Sequence, residues 1–266
     1  VTGPLLTREV CEALERGVRE ISLDLGRTTS RVEIDADGWR VEARRYPFIE
    51  KARDRTIYWW DGAAFQPAQR YAGALYKLVP TERGAPTFEI DGIKMLPTAR
   101  LSPWEDARRK VALVRPGGKA ILDCCGGLGY FAAWCLDGGA RRVLSFEKSD
   151  AVLWLRELNP WSPAAGGALE LRHGDVAQEI RALPDASFDA VLHDPPRFGT
   201  AGELYSAEFY GQLARVLKRR GLLFHYTGSP NKLTGGRNVP AEVARRLRSA
   251  GFDACPEGDG VLATRK

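Results

Sequence analysis

From Ser102 onward the chain repeats one pattern: a short apolar run, a turn rich in glycine or acid, then an amphipathic stretch of helical period. The runs at 120–124, 142–146, 169–172, 188–193 and 222–226 have strand length. The stretches at 130–136, 151–157, 207–217 and 240–249 read as helices. Alternation of this kind builds an open, mainly parallel sheet covered by helices. Phe252-Asp-Ala-Cys followed by Gly260-Val-Leu-Ala-Thr closes the chain as an antiparallel hairpin. Ser102-Pro-Trp-Glu-Asp opens the region like a capped helix, with Pro in its first turn and acids beside the positive helix end.

Residues 1–98 read differently, as a smaller β-rich N-terminal domain ahead of an α/β domain at 99–266. A helix is expected at 7–19, with Val10, Leu14 and Val18 on one face. Arg31-Val-Glu-Ile-Asp and Trp39-Arg-Val-Glu-Ala flank Asp37-Gly, a hairpin signal. Thr56-Ile-Tyr-Trp-Trp, Asp61-Gly and Thr87-Phe-Glu-Ile-Asp-Gly continue the rhythm of strands and turns.

The 266 residues are 44% hydrophobic and 27% charged, an ordinary globular balance. No apolar run approaches the roughly 18 residues of a membrane span, and no signal-peptide pattern opens the chain; a cytoplasmic protein without a membrane partner is expected. The five cysteines show no C-x-x-C spacing, so neither a zinc site nor a disulfide framework is expected. Cys124 and Cys125 fit small buried thiols better than nucleophiles. Net charge is +5, and because residues 1–98 carry 15 acids and 15 bases, the whole excess follows residue 98. That excess suits an anionic partner such as RNA, although many metabolic enzymes share it.

In sheets of this kind ligands bind beyond the carboxyl ends of the strands, and here the chemistry-bearing residues gather at those ends. The first strand runs into Asp123-Cys-Cys-Gly-Gly-Leu-Gly-Tyr130. Its glycines permit a tight strand-to-helix turn and close approach of a ligand. A dinucleotide dehydrogenase would place a third glycine where Ala132 stands, and Asp123 would repel a pyrophosphate. The acid suits the amino group of a bound amino acid instead. Glu147 ends the second strand 24 residues after Asp123, near the spacing at which an acid takes ribose hydroxyls. Asp175 follows the third strand, where it can accept from an adenine amino group, and His173 beside it reads as a loop histidine.

These residues resemble class I S-adenosylmethionine-dependent methyltransferases, over roughly 110–255. The resemblance implies a Rossmann-like sheet and S-adenosyl-L-methionine as cofactor. It assigns the methionine part to Asp123, Cys125, Gly127, Gly129 and Tyr130, the ribose to Glu147 with Lys148, and adenine to Asp175 with Val176. Cys125 stands where the family usually has the first of its alternating glycines. No metal is implied. The whole chain is also similar to a group of archaeal-type methyltransferases, through Thr87-Phe-Glu-Ile-Asp-Gly-Ile-Lys-Met95 and Ala201-Gly-Glu-Leu-Tyr-Ser206.

The fourth strand ends His193-Asp-Pro-Pro-Arg-Phe198, which resembles the Asp-Pro-Pro-aromatic motif of methyltransferases that modify amino nitrogens. By that resemblance Asp194 and the Pro195 carbonyl orient the amine, Pro196 stiffens the turn, and Phe198 or Arg197 lies against the substrate plane. Arg197 occupies the usual aromatic place. The implied reaction is N-methylation of an exocyclic base amine in RNA, with cytosine N4 as one example. The stretch 202–210 and the strand after it are similar to polyamine synthases of the spermidine synthase type, which keeps open a small-molecule amine as acceptor. A cofactor-binding sensor without turnover is the third reading. Trp59, Trp60, Tyr71 and the charges at 51–55 are candidate substrate contacts if exposed.

Overall fold

The computed structural model describes residues 3–82, 84–196, 201–228 and 238–266. The chain divides into two compact units, Val1–Asp106 with Ala151–Ser162, and Ala107–Asp150 with Pro163–Lys266.

The second unit is built on seven strands: β1 (Ala120–Asp123), β2 (Arg142–Glu147), β3 (Leu169–His173), β4 (Phe188–His193), β5 (Leu217–Tyr226), β6 (Phe252–Glu257) and β7 (Gly260–Arg265). Their order across the sheet is β3-β2-β1-β4-β5-β7-β6. The first five lie parallel, and β7 turns back antiparallel between β5 and β6. Chain order reverses between β1 and β4, so the carboxyl ends of these two strands border the switch point at which such sheets bind ligands. The near-continuous apolar sequence of β1 follows from its central place, where all four residues are buried.

The helices are α1 (Pro103–Val114), α2 (Tyr130–Asp137), α3 (Asp150–Leu158), α4 (Val176–Glu179), α5 (Ala207–Val216) and α6 (Val239–Ser249). Ser102 caps α1 as expected, its hydroxyl accepting from Glu105 N at 3.1 Å. Leu213 and Val216 of α5 and Val243, Ala244 and Leu247 of α6 join Leu223, Phe252 and Val261 in one buried cluster. Each such aliphatic or aromatic side chain contributes roughly 1.5–3 kcal/mol of burial.

β5 begins five residues earlier than the apolar run suggests. Phe188 pairs with Leu217 and Ala190 with Leu222, so two steps along β4 answer five along β5. Lys218-Arg-Arg-Gly221 therefore bulges from the ladder, and the cations that interrupt the apolar pattern are the reason the sequence conceals the strand's start.

The first unit contains short antiparallel sheets, among them the expected hairpin of Glu33–Asp35 with Gly38–Val41. Trp39 is fully buried and stacks on Tyr46 at 4.8 Å between centroids. Its helix covers only Arg8–Glu15. Gly17 at φ +78° ends it, so Val18, expected on one helix face with Val10 and Leu14, lies beyond the helix and is 40% exposed. Residues 151–162 belong to this unit: Trp154 meets Trp59 edge-on at 6.0 Å, and the Trp161 indole donates to Leu25 O at 3.1 Å.

Candidate functional site at the carboxyl ends of the strands

Register places the site. Asp123 on β1 lies level with Ser145 on β2 and Leu192 on β4. Glu147 ends β2 and Asp194 follows the last residue of β4, the strands on either side of β1. They flank the glycine turn at roughly 10 Å from one another, about two strand spacings. The turn is fastened to both neighbours, Cys124 N donating to Leu192 O at 3.0 Å and Gly126 N to Phe146 O at 2.7 Å.

Gly127 and Gly129 have φ of +50° and +82°, the left-handed region in which a side chain is strained. Gly129 is the N-cap of α2 and provides no side-chain cap, so an acceptor at the helix start can come from a ligand. Glu147 receives Gly127 N on Oε2 and Ser149 N on Oε1, both at 2.9 Å. Asp123 is fully buried, and Ser145 Oγ donates to its Oδ2 at 2.8 Å. Its carboxyl group thus sits beneath the turn. Asp175 caps α4 through Ala177 N at 2.9 Å, with Lys148 Nζ 3.7 Å from its other oxygen. Lys148 also reaches Glu203 at 3.9 Å. Tyr130 and Val176 are buried where the turn and α4 begin. This donor set fits S-adenosylmethionine: an acid beneath a ligand amine, an acid at ribose level, an uncapped helix start, and room made by glycine.

Burial pushes the Cys124 and Cys125 thiols well above their usual range. Neighbouring Asp123 adds to the shift at Cys124, and Cys124, Glu147, Asp123 and Asp194 add to it at Cys125. A raised thiol disfavours the thiolate, the nucleophilic form; Cys124 is buried and Cys125 half-buried. Among the described residues no cluster of His, Cys, Asp or Glu could hold a metal ion, and no helix is long and apolar enough to cross a membrane.

Beneath Asp194 lies a network that sequence reasoning missed. His193 on β4 pairs in register with His225 on β5, and their rings meet edge-on at 4.4 Å. Both are fully buried. His193 Nε2 lies 3.1 Å from Leu204 O, and His225 Nδ1 lies 2.8 Å from Tyr226 O. Carbonyls only accept, so these nitrogens carry the protons, and Tyr210 OH donates to His225 Nε2 at 3.0 Å. Burial drives His193 down to about 4 and, with help from His193, drives His225 well below its ordinary value. Tyr205 OH donates to Pro196 O at 3.1 Å, fixing the turn after Asp194. Burial, with Asp194 nearby, raises that phenol. Tyr205, Phe209 and Tyr210 are thus core residues, and the two tyrosines also have a polar task. A histidine inside an otherwise apolar strand was the available signal, present in both His193 and His225.

Pro195 and Pro196 follow Asp194 at the strand exit, whereas Arg197 and Phe198 lie outside the described residues. Tyr71 is 76% exposed, while Trp59 and Trp60 are half-buried, the latter against Tyr46 and Phe65. Lys51, Arg53, Asp54 and Arg55 are exposed.

No family model matches the chain. The chain is 39% identical over 259 residues to the uncharacterized protein MJ1233 of Methanocaldococcus jannaschii, spanning 92% of this chain and 88% of that one. Two shorter similarities involve relatives with named activities. Polyamine aminopropyltransferase 2 of Streptomyces coelicolor is 36% identical over 130 residues, 44% of this chain and 24% of that protein. Ribosomal RNA large subunit methyltransferase I of Vibrio parahaemolyticus is 30% identical over 133 residues, 46% of this chain and 33% of that protein. Among solved structures, a spermidine synthase in complex with the transition state analogue AdoDATO superposes with a TM-score of 0.60 at 18% identity, covering 74% and 73% of the two chains. This chain has the Rossmann-like α/β fold of that structure.

Proposed function

We propose that this chain, which belongs to the same family as MJ1233, is an N-methyltransferase that uses S-adenosylmethionine to modify an exocyclic base amine in RNA. The observation that carries the reading is the place of Asp194. It follows the last residue of β4, across the glycine turn from Glu147, on a turn held by Tyr205. When bound, S-adenosylmethionine supplies a methyl group activated by its sulfonium. The protein's own part is to hold and orient. Glu147 takes the ribose hydroxyls, Asp175 the adenine amino group, and the buried charge of Asp123 favours the α-amino group above it. Cys125, Gly127, Gly129, Tyr130, Lys148 and Val176 line that path. Asp194 and the Pro195 carbonyl accept hydrogen bonds from the acceptor amine and point its lone pair at the methyl group, and Asp194 receives the proton that the nitrogen sheds. Positioning of this kind can supply roughly 7–11 kcal/mol at its limit. Pro196 fixes the turn, and Arg197 or Phe198 lies against the base. The basic excess of the chain after residue 98 and the similarity to a ribosomal RNA methyltransferase support RNA as the acceptor.

A second reading, aminopropyl transfer to a small polyamine, is favoured by the acids that crowd the same strand ends, including Glu203 beside Lys148. One experiment separates the two. Calorimetric binding of S-adenosylmethionine beside its decarboxylated analogue, with labelled methyl transfer to bulk tRNA and rRNA, is expected to favour the intact cofactor and to label RNA. Preference for the decarboxylated form, with no label in RNA, would overturn the methyltransferase reading.

A further inference from the structure

At the amino end of the sheet in the second unit, opposite the site just described, is a concavity of about 360 Å³. Its walls hold Arg115, Lys119, Lys218, Arg219 and Arg220, and a single acid, Asp189. That acid is already engaged, receiving Ala120 N at 2.9 Å and Lys218 Nζ at 2.7 Å, with Arg141 at 3.5 Å. Lys119 Nζ donates to Val114 O at 2.6 Å. Among the described residues no carboxylate pairs with Arg115, Arg219 or Arg220, all three of which are exposed. Burial first, and the Arg115 charge after it, push the Lys119 ammonium below its ordinary value, while Asp189 acts in the opposite direction.

The backbone that presents these cations is unusual. Lys218-Arg-Arg-Gly221 is the bulge extruded from β5, and bulges re-aim side chains at functional sites. Arg220 and Arg115 have φ of +61° and +51°, left-handed positions that glycine would occupy without strain. Two arginines held where glycine is the relaxed choice, on converging segments, retain their guanidinium groups at a cost in backbone energy. Guanidinium is the side chain whose planar fork matches phosphate oxygens.

We propose that this concavity binds phosphate groups of the RNA backbone. The inference rests on the reading of RNA as acceptor. Lys119, just before β1, is four residues from Asp123 at its end, and Asp189 in β4 is five from Asp194 just past it, so the two ends of the sheet are separated by roughly 13–17 Å. A folded RNA that presents one base to Asp194 has backbone to spare over that span, and the pocket anchors it without reading sequence.

The test measures binding of fluorescein-labelled bulk tRNA to wild type and to the double variant Arg219→Glu/Arg220→Glu by anisotropy across a salt series, with tripolyphosphate as a second probe. The variant is expected to bind tRNA at least tenfold more weakly at 100 mM salt. The slope of log affinity against log salt should shrink by about one for each arginine. Binding of S-adenosylmethionine and the melting profile should stay at wild-type values. A milder pair, Arg219→Gln/Arg220→Gln, should lie between the two and guards against a folding defect. Unchanged tRNA affinity and slope would overturn the proposal. Loss of tripolyphosphate binding with tRNA binding intact would also overturn it, reassigning the pocket to a small phosphorylated ligand. Failure of the acceptor reading looks different: wild type would bind tRNA through these arginines yet transfer no methyl group to it.

Discussion

The two ends of one sheet have opposite chemistry. At the carboxyl ends, Asp123, Glu147, Asp175 and Asp194 converge around a glycine turn, and a neutral histidine pair lies sealed beneath the last of them. At the amino ends, five cations surround one acid whose carboxylate is already occupied. Strand polarity explains part of the contrast. In a parallel sheet the turns that leave the strands are free to vary as binding loops, and here they carry the acids. The amino ends acquire their charge from a bulge and from the residue after a helix, both departures from regular geometry. Buried hydrogen bonds define one end and exposed charge the other. The first should therefore respond to protons and the second to salt.

The sharpest way to break that contrast is to compare two acids at the same end. Asp194→Ala is expected to lower methyl transfer about a hundredfold or more, with the calorimetric affinity for S-adenosylmethionine nearly intact. Glu147→Ala should weaken that affinity itself by about 1.5–3 kcal/mol, since it loses hydrogen bonds to a charged group and releases Gly127 N. Full activity in the first variant would sink the amine-orienting role of Asp194.

A smaller effect concerns pH. Burial holds His193 at about 4 rather than 6.5. Between those values the unfolded chain binds a proton that the folded chain does not, so stability is complete above 6.5 and falls as pH drops toward 4. Each such histidine removes up to about 1.4 kcal/mol per pH unit in that window, and His225, also lowered by burial, adds in the same direction. Urea midpoints measured from pH 7 to 4.5 should decline steadily and change little with moderate salt; a flat series would show that the pair is not held neutral. The smallest effect lies at the opposite end. Arg220→Gly relieves a left-handed residue and is expected to raise unfolding free energy by about 0.5–1 kcal/mol, readable in the same urea titration, while weakening tRNA binding. A loss of stability would show that Arg220 serves the fold.

Much of the sheet was legible because apolar runs stop where acids or glycines begin. β4 has its expected bounds, and the expected carboxyl ends of β1, β2 and β3 lie within one residue of those observed. The candidate acids were legible for the same reason, each lying at or just past a strand end. The histidine network was not, because His193 and His225 are 32 positions apart and meet only through the register of β4 on β5. The basic concavity was hidden likewise: Arg115, Lys119 and the bulge come together only at the edge of the folded sheet. The bulge also disguised β5, since three successive cations look like a loop.

Residues 151–162 carry a consequence for how the chain is made. They lie between β2 and β3 in sequence but belong with the first unit, so the chain passes from one unit to the other at 106, 150 and 162. A nascent chain released at residue 98 lacks Trp154 and Trp161, and with them the indole–carbonyl bond to Leu25. The first unit thus cannot be completed before the second has begun: its last segment leaves the ribosome only after β1 and β2. The two units are bound into one order of assembly, and neither can be lent to another protein by a single cut.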